Sequence, residues 1–140
     1  MASFDKILAT LTLAVAGIAA ISLMVAGVLV MNVMLINVSQ RTAEIGLLKA
    51  LGATAADVRR LFLTEASVLS TVGGVTGIAV GLSGLAALRA LFPSIPFGAP
   101  LWSVLAAFAI SLAVGVVFAW IPAARAAALQ PLDALQRKKG

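Results

Sequence analysis

No charged residue occurs between Lys6 and Arg41, between Glu65 and Arg89, or between Arg89 and Arg125. A helix that crosses a bilayer needs roughly 20 consecutive, mostly apolar residues. The pattern therefore predicts three long helices, spanning about 7–38, 66–88 and 101–121. The first stretch is longer than a span requires, and Thr10 and Thr12 mark a thinner start, so its N-terminal part is expected to project from the lipid. The run PSIPFGAP, with Pro93, Pro96, Gly98 and Pro100, breaks the chain into a stiff loop before the third span, and Pro122 is expected to end that span. The predicted fold is an all-α integral membrane domain over 1–140.

Composition strengthens this reading. The 140 residues are 62% hydrophobic and 11% charged, against about 25% charged in soluble domains. Mean hydropathy is +1.14. Met1 to Lys6 pairs an acid with a base and no cleavage pattern follows, so it does not read as a signal peptide. Bases are uneven: Arg41, Lys49, Arg59 and Arg60 link the first two spans, and Arg125, Arg137, Lys138 and Lys139 follow the third. Only Lys6 and Arg89 lie at the other ends. Positive-inside bias places residues 41–65 and the tail in the cytoplasm, with the N-terminus and the proline loop outside. Contact with anionic headgroups accounts for the net charge of +5 better than nucleic acid does, because no stacking aromatics interleave the bases.

The link between spans one and two contains RTAEIGLLKALGA, residues 41–53. Residues 42–51 predict a short helix closed by Gly52 as C-cap. At 100° per residue, Thr42, Ala43, Gly46, Lys49 and Ala50 share one narrow face, and Ile45, Leu47, Leu48 and Leu51 take the other. Such a helix suits either docking of a soluble partner on its small face or rest on the lipid surface. Thr54 and Asp57 then read as a capping box for the next helix. Glu65, at the lip of span two, is either an interfacial carboxylate in water or a partner for a base on a neighbouring helix. In the tail, Pro131, Asp133 and the leucines Leu129, Leu132 and Leu135 read as a further short helix.

Along span two, Ala66, Ser70, Gly73, Gly77, Gly81 and Gly84 recur at steps of three and four, which places them on one face. Faces of this kind let helix backbones approach closely in lipid, although glycine is also common in spans generally. Trp102 and Trp120 lie 18 residues apart, about 27 Å of helix, and read as anchors at the two interfaces, with Arg125 beyond the second. Asn32 and Asn37 read as interhelical hydrogen-bond partners. The chain contains no His, Cys or Tyr, and its spans contain no ionisable group, so enzymatic chemistry, a metal site, a bound cofactor and a proton relay are not expected.

These motifs resemble the FtsX-like permeases, the membrane subunits of MacB-type and lipoprotein-releasing ABC transporters. The likeness is carried by RTAEIGLLKALGA, by the lead-in AGIAAISLMVAGVLVMNVMLINVSQ, by FLTEASVLSTVGGVTGIAVG and by PAARAAALQPLDAL, over about Leu8 to Leu135. It implies a multi-pass protein of a bacterial or archaeal cytoplasmic membrane that acts with an ABC ATPase. It also implies a second permease copy, identical or not. Arg41, Glu44, Gly46, Lys49, Gly52 and Ala53 match the family's ATPase-coupling motif. The resemblance further implies a first span and an extracytoplasmic domain that this sequence lacks, and spans that transmit motion, for export or lipoprotein release, rather than carry substrate. Ala124 and Ala128 stand where the family often has bases. Two rival readings are a non-transporting scaffold of the cell-division type, acting on wall hydrolases, and an inactive permease piece.

Overall fold

A computed structural model describes residues 2–93 and 98–129. The short helix expected after Pro131, and the centre of the PSIPFGAP loop, lie outside the described residues. Four helices follow one another: α1 (Ala2–Gln40), α2 (Thr42–Ala50), α3 (Ala55–Leu91) and α4 (Leu101–Ala128). Among the described residues there is no strand. Helix is the expected outcome for apolar chain in lipid, where every backbone N–H and C=O has to be satisfied internally. Side-chain hydroxyls in the spans follow the same rule: Thr10, Thr12, Ser22, Thr71, Thr76 and Ser83 each donate to the carbonyl four residues earlier.

Helices α1, α3 and α4 are long and apolar enough to cross a membrane, with mean hydropathies of 2.6, 1.6 and 2.5 over their best windows. The 39 residues of α1 reach about 58 Å, nearly twice the hydrocarbon thickness of about 30 Å. The first uncharged stretch is thus one continuous long helix. α4 is the central element: α1 and α3 both pack on it, and they touch each other only slightly.

The buried apolar cluster lies towards one end. Met34 and Val38 of α1, Ile45 of α2, Val58, Phe62 and Ala66 of α3, and Ala119, Ala123 and Ala126 of α4 form a single buried cluster. This basal end also carries Arg41, Lys49, Arg59, Arg60 and Arg125. Towards the other end the helices show their apolar side chains outward: Leu13 is 75% exposed and Leu91 71%. In lipid that surface carries no hydrophobic penalty, so it is available to acyl chains or to further helices.

Two glycines set the interhelical distances. A Cβ on Gly27 of α1 would lie 2.5 Å from the Phe118 ring of α4. A Cβ on Gly115 of α4 would overlap the Ser70 side chain of α3. Each glycine thus acts as a socket for a side chain of the facing helix. On α3 the buried positions are Val58, Phe62, Ala66, Ser70 and Gly74, a strict four-residue step. α4 does not stop at Pro122. The ring removes the amide that would bond to the Phe118 carbonyl, yet the helix continues for six more residues. The following Ala123, Ala126 and Ala127 are strong helix formers, and all three are buried at the base, which outweighs the missing bond.

Candidate coupling site

The chain leaves α1 at Arg41, whose backbone (φ −99°, ψ 17°) interrupts the helix. The Thr42 hydroxyl donates to the carbonyls of Val38 at 3.0 Å and Ser39 at 2.9 Å, taking up acceptors freed at the end of α1. At its far end α2 closes on Gly52 (φ +103°). The Ala53 amide donates to the Leu48 carbonyl and the Gly52 amide to the Lys49 carbonyl, both at 3.0 Å. That pair of bonds is a Schellman closure, and it needs a left-handed residue that glycine alone adopts freely. α3 then begins with the expected capping box. Thr54 Oγ1 accepts from the Asp57 amide at 3.2 Å, and Asp57 Oδ2 accepts from the Thr54 amide at 2.9 Å. The Thr54 hydroxyl also donates to Asp57 Oδ2 at 2.6 Å, and this bond, with that from the Thr54 amide, holds the Asp57 carboxyl below its usual 3.8, helped by the positive charge of Arg60.

Within this frame the expected coupling residues divide by task. Arg41 Nε donates to Glu44 Oε2 at 3.0 Å, and Arg41 Nη1 lies 3.8 Å from Glu65 Oε2. Glu65 is thus the partner of a base on another element, one of the two readings its position allowed. These side chains are 40–67% exposed, so the pairs orient the helix more than they stabilise it. Gly46 and its neighbour Ile45 are buried. Lys49 reaches out of α2, and its Nζ donates to the carbonyls of Ala127 at 2.5 Å and Leu129 at 2.6 Å. An ammonium at a helix C-terminus satisfies orphan carbonyls and opposes the negative end of the dipole. Gly52 turns the chain, and Ala53 is half-buried beside it.

The small face of α2 is therefore turned partly inward, with Gly46 buried and Lys49 engaged by α4. The face left open carries Leu47 (62% exposed), Leu48 and Leu51 (79% exposed), together with Ala43 and Glu44. The expected division into two faces does not coincide with burial: Ile45, placed with the leucines, is buried beside Gly46, whereas Ala43 and Ala50, placed on the small face, are exposed.

The other expected residues lie further along the spans. Ser70 is buried on Gly115, but Gly73, Gly77, Gly81 and Gly84 are exposed, and a Cβ on any of the four would meet nothing within 4 Å. The four-residue packing step rotates away from the three-and-four stripe after Ser70. Gly73, Gly77 and Gly81 instead line an apolar groove of about 450 Å³ between α3 and α4, walled on the α4 side by Ser103, Val104 and Ala107. Trp102 is 71% exposed and Trp120 53%, and Arg125 is exposed. Asn32 is exposed and Asn37 half-buried; among the described residues neither side chain hydrogen-bonds another helix. Three contacts escaped the sequence reading: Phe118 on Gly27, Ser70 on Gly115, and the Arg59 guanidinium 5.6 Å from the centre of the Trp120 ring. Gly115, the one glycine of span three, was the available signal.

A short helix, closed by Gly52 and bonded through Lys49 to the end of α4, joins three apolar helices of a multi-pass membrane protein at their basic end. Residues 16–131 match the FtsX-like permease C-terminal family, and the chain belongs to it. It is 46% identical to the macrolide export ATP-binding/permease protein MacB of Rhodopseudomonas palustris, over 91% of this chain and 20% of that protein. It is 49% identical to the pyoverdine export ATP-binding/permease protein PvdT of Pseudomonas syringae pv. tomato, over 90% of this chain and 19% of that protein. An ABC transporter permease of Bacillus subtilis, YvrN, is 44% identical over 91% of this chain and 31% of its own length. The chain thus spans 19–31% of the length of these curated relatives.

Proposed function

We propose that this chain is the membrane part of an ABC permease that receives force from an ATPase subunit or domain through α2 and passes it to the spans. The observation that carries the reading is the two-sided build of α2. Its inner side is tied to the bundle by Ile45, Gly46 and the Lys49 bonds to the end of α4. Its outer side presents Leu47, Leu48 and Leu51 away from the bundle. An element that transmits force needs both a free face for the driver and a stiff joint to the driven part. Here the joint reaches α4, the helix on which α1 and α3 both pack, so displacement of α2 is delivered to the centre of the domain. The family match, and the ATP-binding/permease names of the relatives, support an ATPase as the driver. Nucleotide hydrolysis belongs to that driver in this reading, and a second permease copy with further spans completes the membrane part in the cytoplasmic membrane.

The test is a reconstituted complex of the chain with its ATPase and any companion permease segments. Replacing Leu47 and Leu51 by glutamate should abolish stimulation of ATP hydrolysis by the membrane part and reduce ATPase pull-down, with the helical content unchanged. Unaltered pull-down and unaltered stimulation would remove α2 as the docking element.

A further inference from the structure

We propose that Arg59 and Trp120 form a binding site for the phosphate of an anionic phospholipid at the basal interface. The pair joins α3 to α4, with the Arg59 guanidinium carbon 5.6 Å from the indole centroid. Arg59 Nε is buried and has no hydrogen-bond partner, and among the described residues the acidic side chains Glu44 and Glu65 pair with Arg41 instead. The guanidinium thus lies over the indole, and among the described residues no acidic side chain pairs with it. The side chain as a whole is only partly buried, so an acceptor from outside meets the terminal nitrogens of the fork.

The depth of the pair selects the acceptor. Trp120 stands about 27 Å along α4 from Trp102, so the two indoles mark opposite boundaries of a hydrocarbon layer. Arg59 precedes Glu65, the last charge before the uncharged stretch of α3, by six residues, or about 9 Å of helix. That is headgroup level. Trp120 is 53% exposed, so its ring is open to acyl chains. A phospholipid meets both halves of the site at once: acyl chain against the indole, phosphate on the fork of the guanidinium, whose geometry matches it. A carboxylate from another protein would use the guanidinium and leave the indole unused. The excess of bases over acids at this end favours an anionic headgroup further.

Trp120 supplies its own readout. In a Trp102→Phe variant it is the one tryptophan left. The chain is placed in phosphatidylcholine vesicles containing an equal mole fraction of either dibrominated phosphatidylglycerol or dibrominated phosphatidylcholine, and bromine quenching of Trp120 is measured. The relative association constant should favour phosphatidylglycerol about fivefold, the effect of one basic side chain at an anionic surface. It should fall to near one in Arg59→Gln. Equal quenching by the two lipids with Arg59 in place overturns the proposal. So does a preference that survives Arg59→Gln, because the general charge of the base would then account for it. A change in Trp120 emission on adding inorganic phosphate, without a lipid preference, would assign the pair to a soluble phosphate and overturn it as well. Loss of ATPase pull-down in Arg59→Gln at an unchanged lipid ratio would assign it to a protein carboxylate, with the same consequence.

Discussion

The Lys49 ammonium donates to the Ala127 carbonyl, so the linker helix is fastened to the end of α4 across 78 residues of sequence. A second bond, to the Leu129 carbonyl, makes the attachment two-pronged. Removing the ammonium leaves both carbonyls short of a donor at the buried base. Hydrogen bonds to charged groups contribute about 1.5–3 kcal/mol, and partial exposure of Lys49 lowers the effect here. Lys49→Met should destabilise the domain by about 1–2 kcal/mol, read from unfolding in mixed detergent micelles. Lys49→Arg should recover part of the loss.

Glycines on the two sides of the packing boundary should respond in opposite ways. Gly115→Val drives a branched side chain into Ser70 and should cost about 1–3 kcal/mol in the isolated chain. Gly77→Leu meets open space, so the isolated chain should keep its stability. If the glycine stripe packs against a helix from another chain or segment, Gly77→Leu should nevertheless weaken assembly, measured by crosslinking or size exclusion of the complete transporter. Unchanged assembly would leave the stripe as a lipid-filled groove.

Thr54→Ala removes one arm of the capping box and should cost about 1 kcal/mol at the start of α3. The box is also pH-dependent. Asp57 lies in the first turn of α3, outside its uncharged stretch, and its folded carboxyl is held below 3.8. A depressed carboxylate pKa contributes stability that is present above the unfolded value and is lost as pH falls through the folded value. Amide exchange at residues 55–58 should therefore be steady at neutral pH and accelerate only in acid below 3.8. Asp57→Asn should remove most of that acid sensitivity.

Topology is testable with single cysteines. Excess base at the α2 end predicts that Thr54→Cys is shielded from an impermeant thiol reagent on intact cells, while Ala99→Cys, in the exposed residues before α4, is labelled. The reverse pattern would invert the orientation of all three spans.

How much of this was readable beforehand follows from the range of each cause. The Gly52 closure and the Thr54–Asp57 box act within a few residues, and the sequence displays both. The three long helices follow from lipid as solvent, so charge-free runs sufficed. The end of α4 did not follow, because local rules favour a stop at Pro122 and the deciding term is burial of Ala123, Ala126 and Ala127 against other helices. The stripe on α3 was visible, but which part of it packs depends on the register against Gly115. Lys49 stood out as a base in a short helix, yet its partners lie at the other end of the chain.

The central claim is that the leucine face of α2 meets the ATPase. The direct measurement is a photoreactive residue placed at Leu51 or Leu47 of the assembled transporter in its membrane, with a third placed at Leu29 in the middle of α1, and the adducts identified by mass spectrometry. The account predicts adducts to the ATPase from Leu51 and Leu47, with none to it from Leu29. Lipid adducts alone at all three positions would contradict it and leave α2 as a helix resting on the membrane surface.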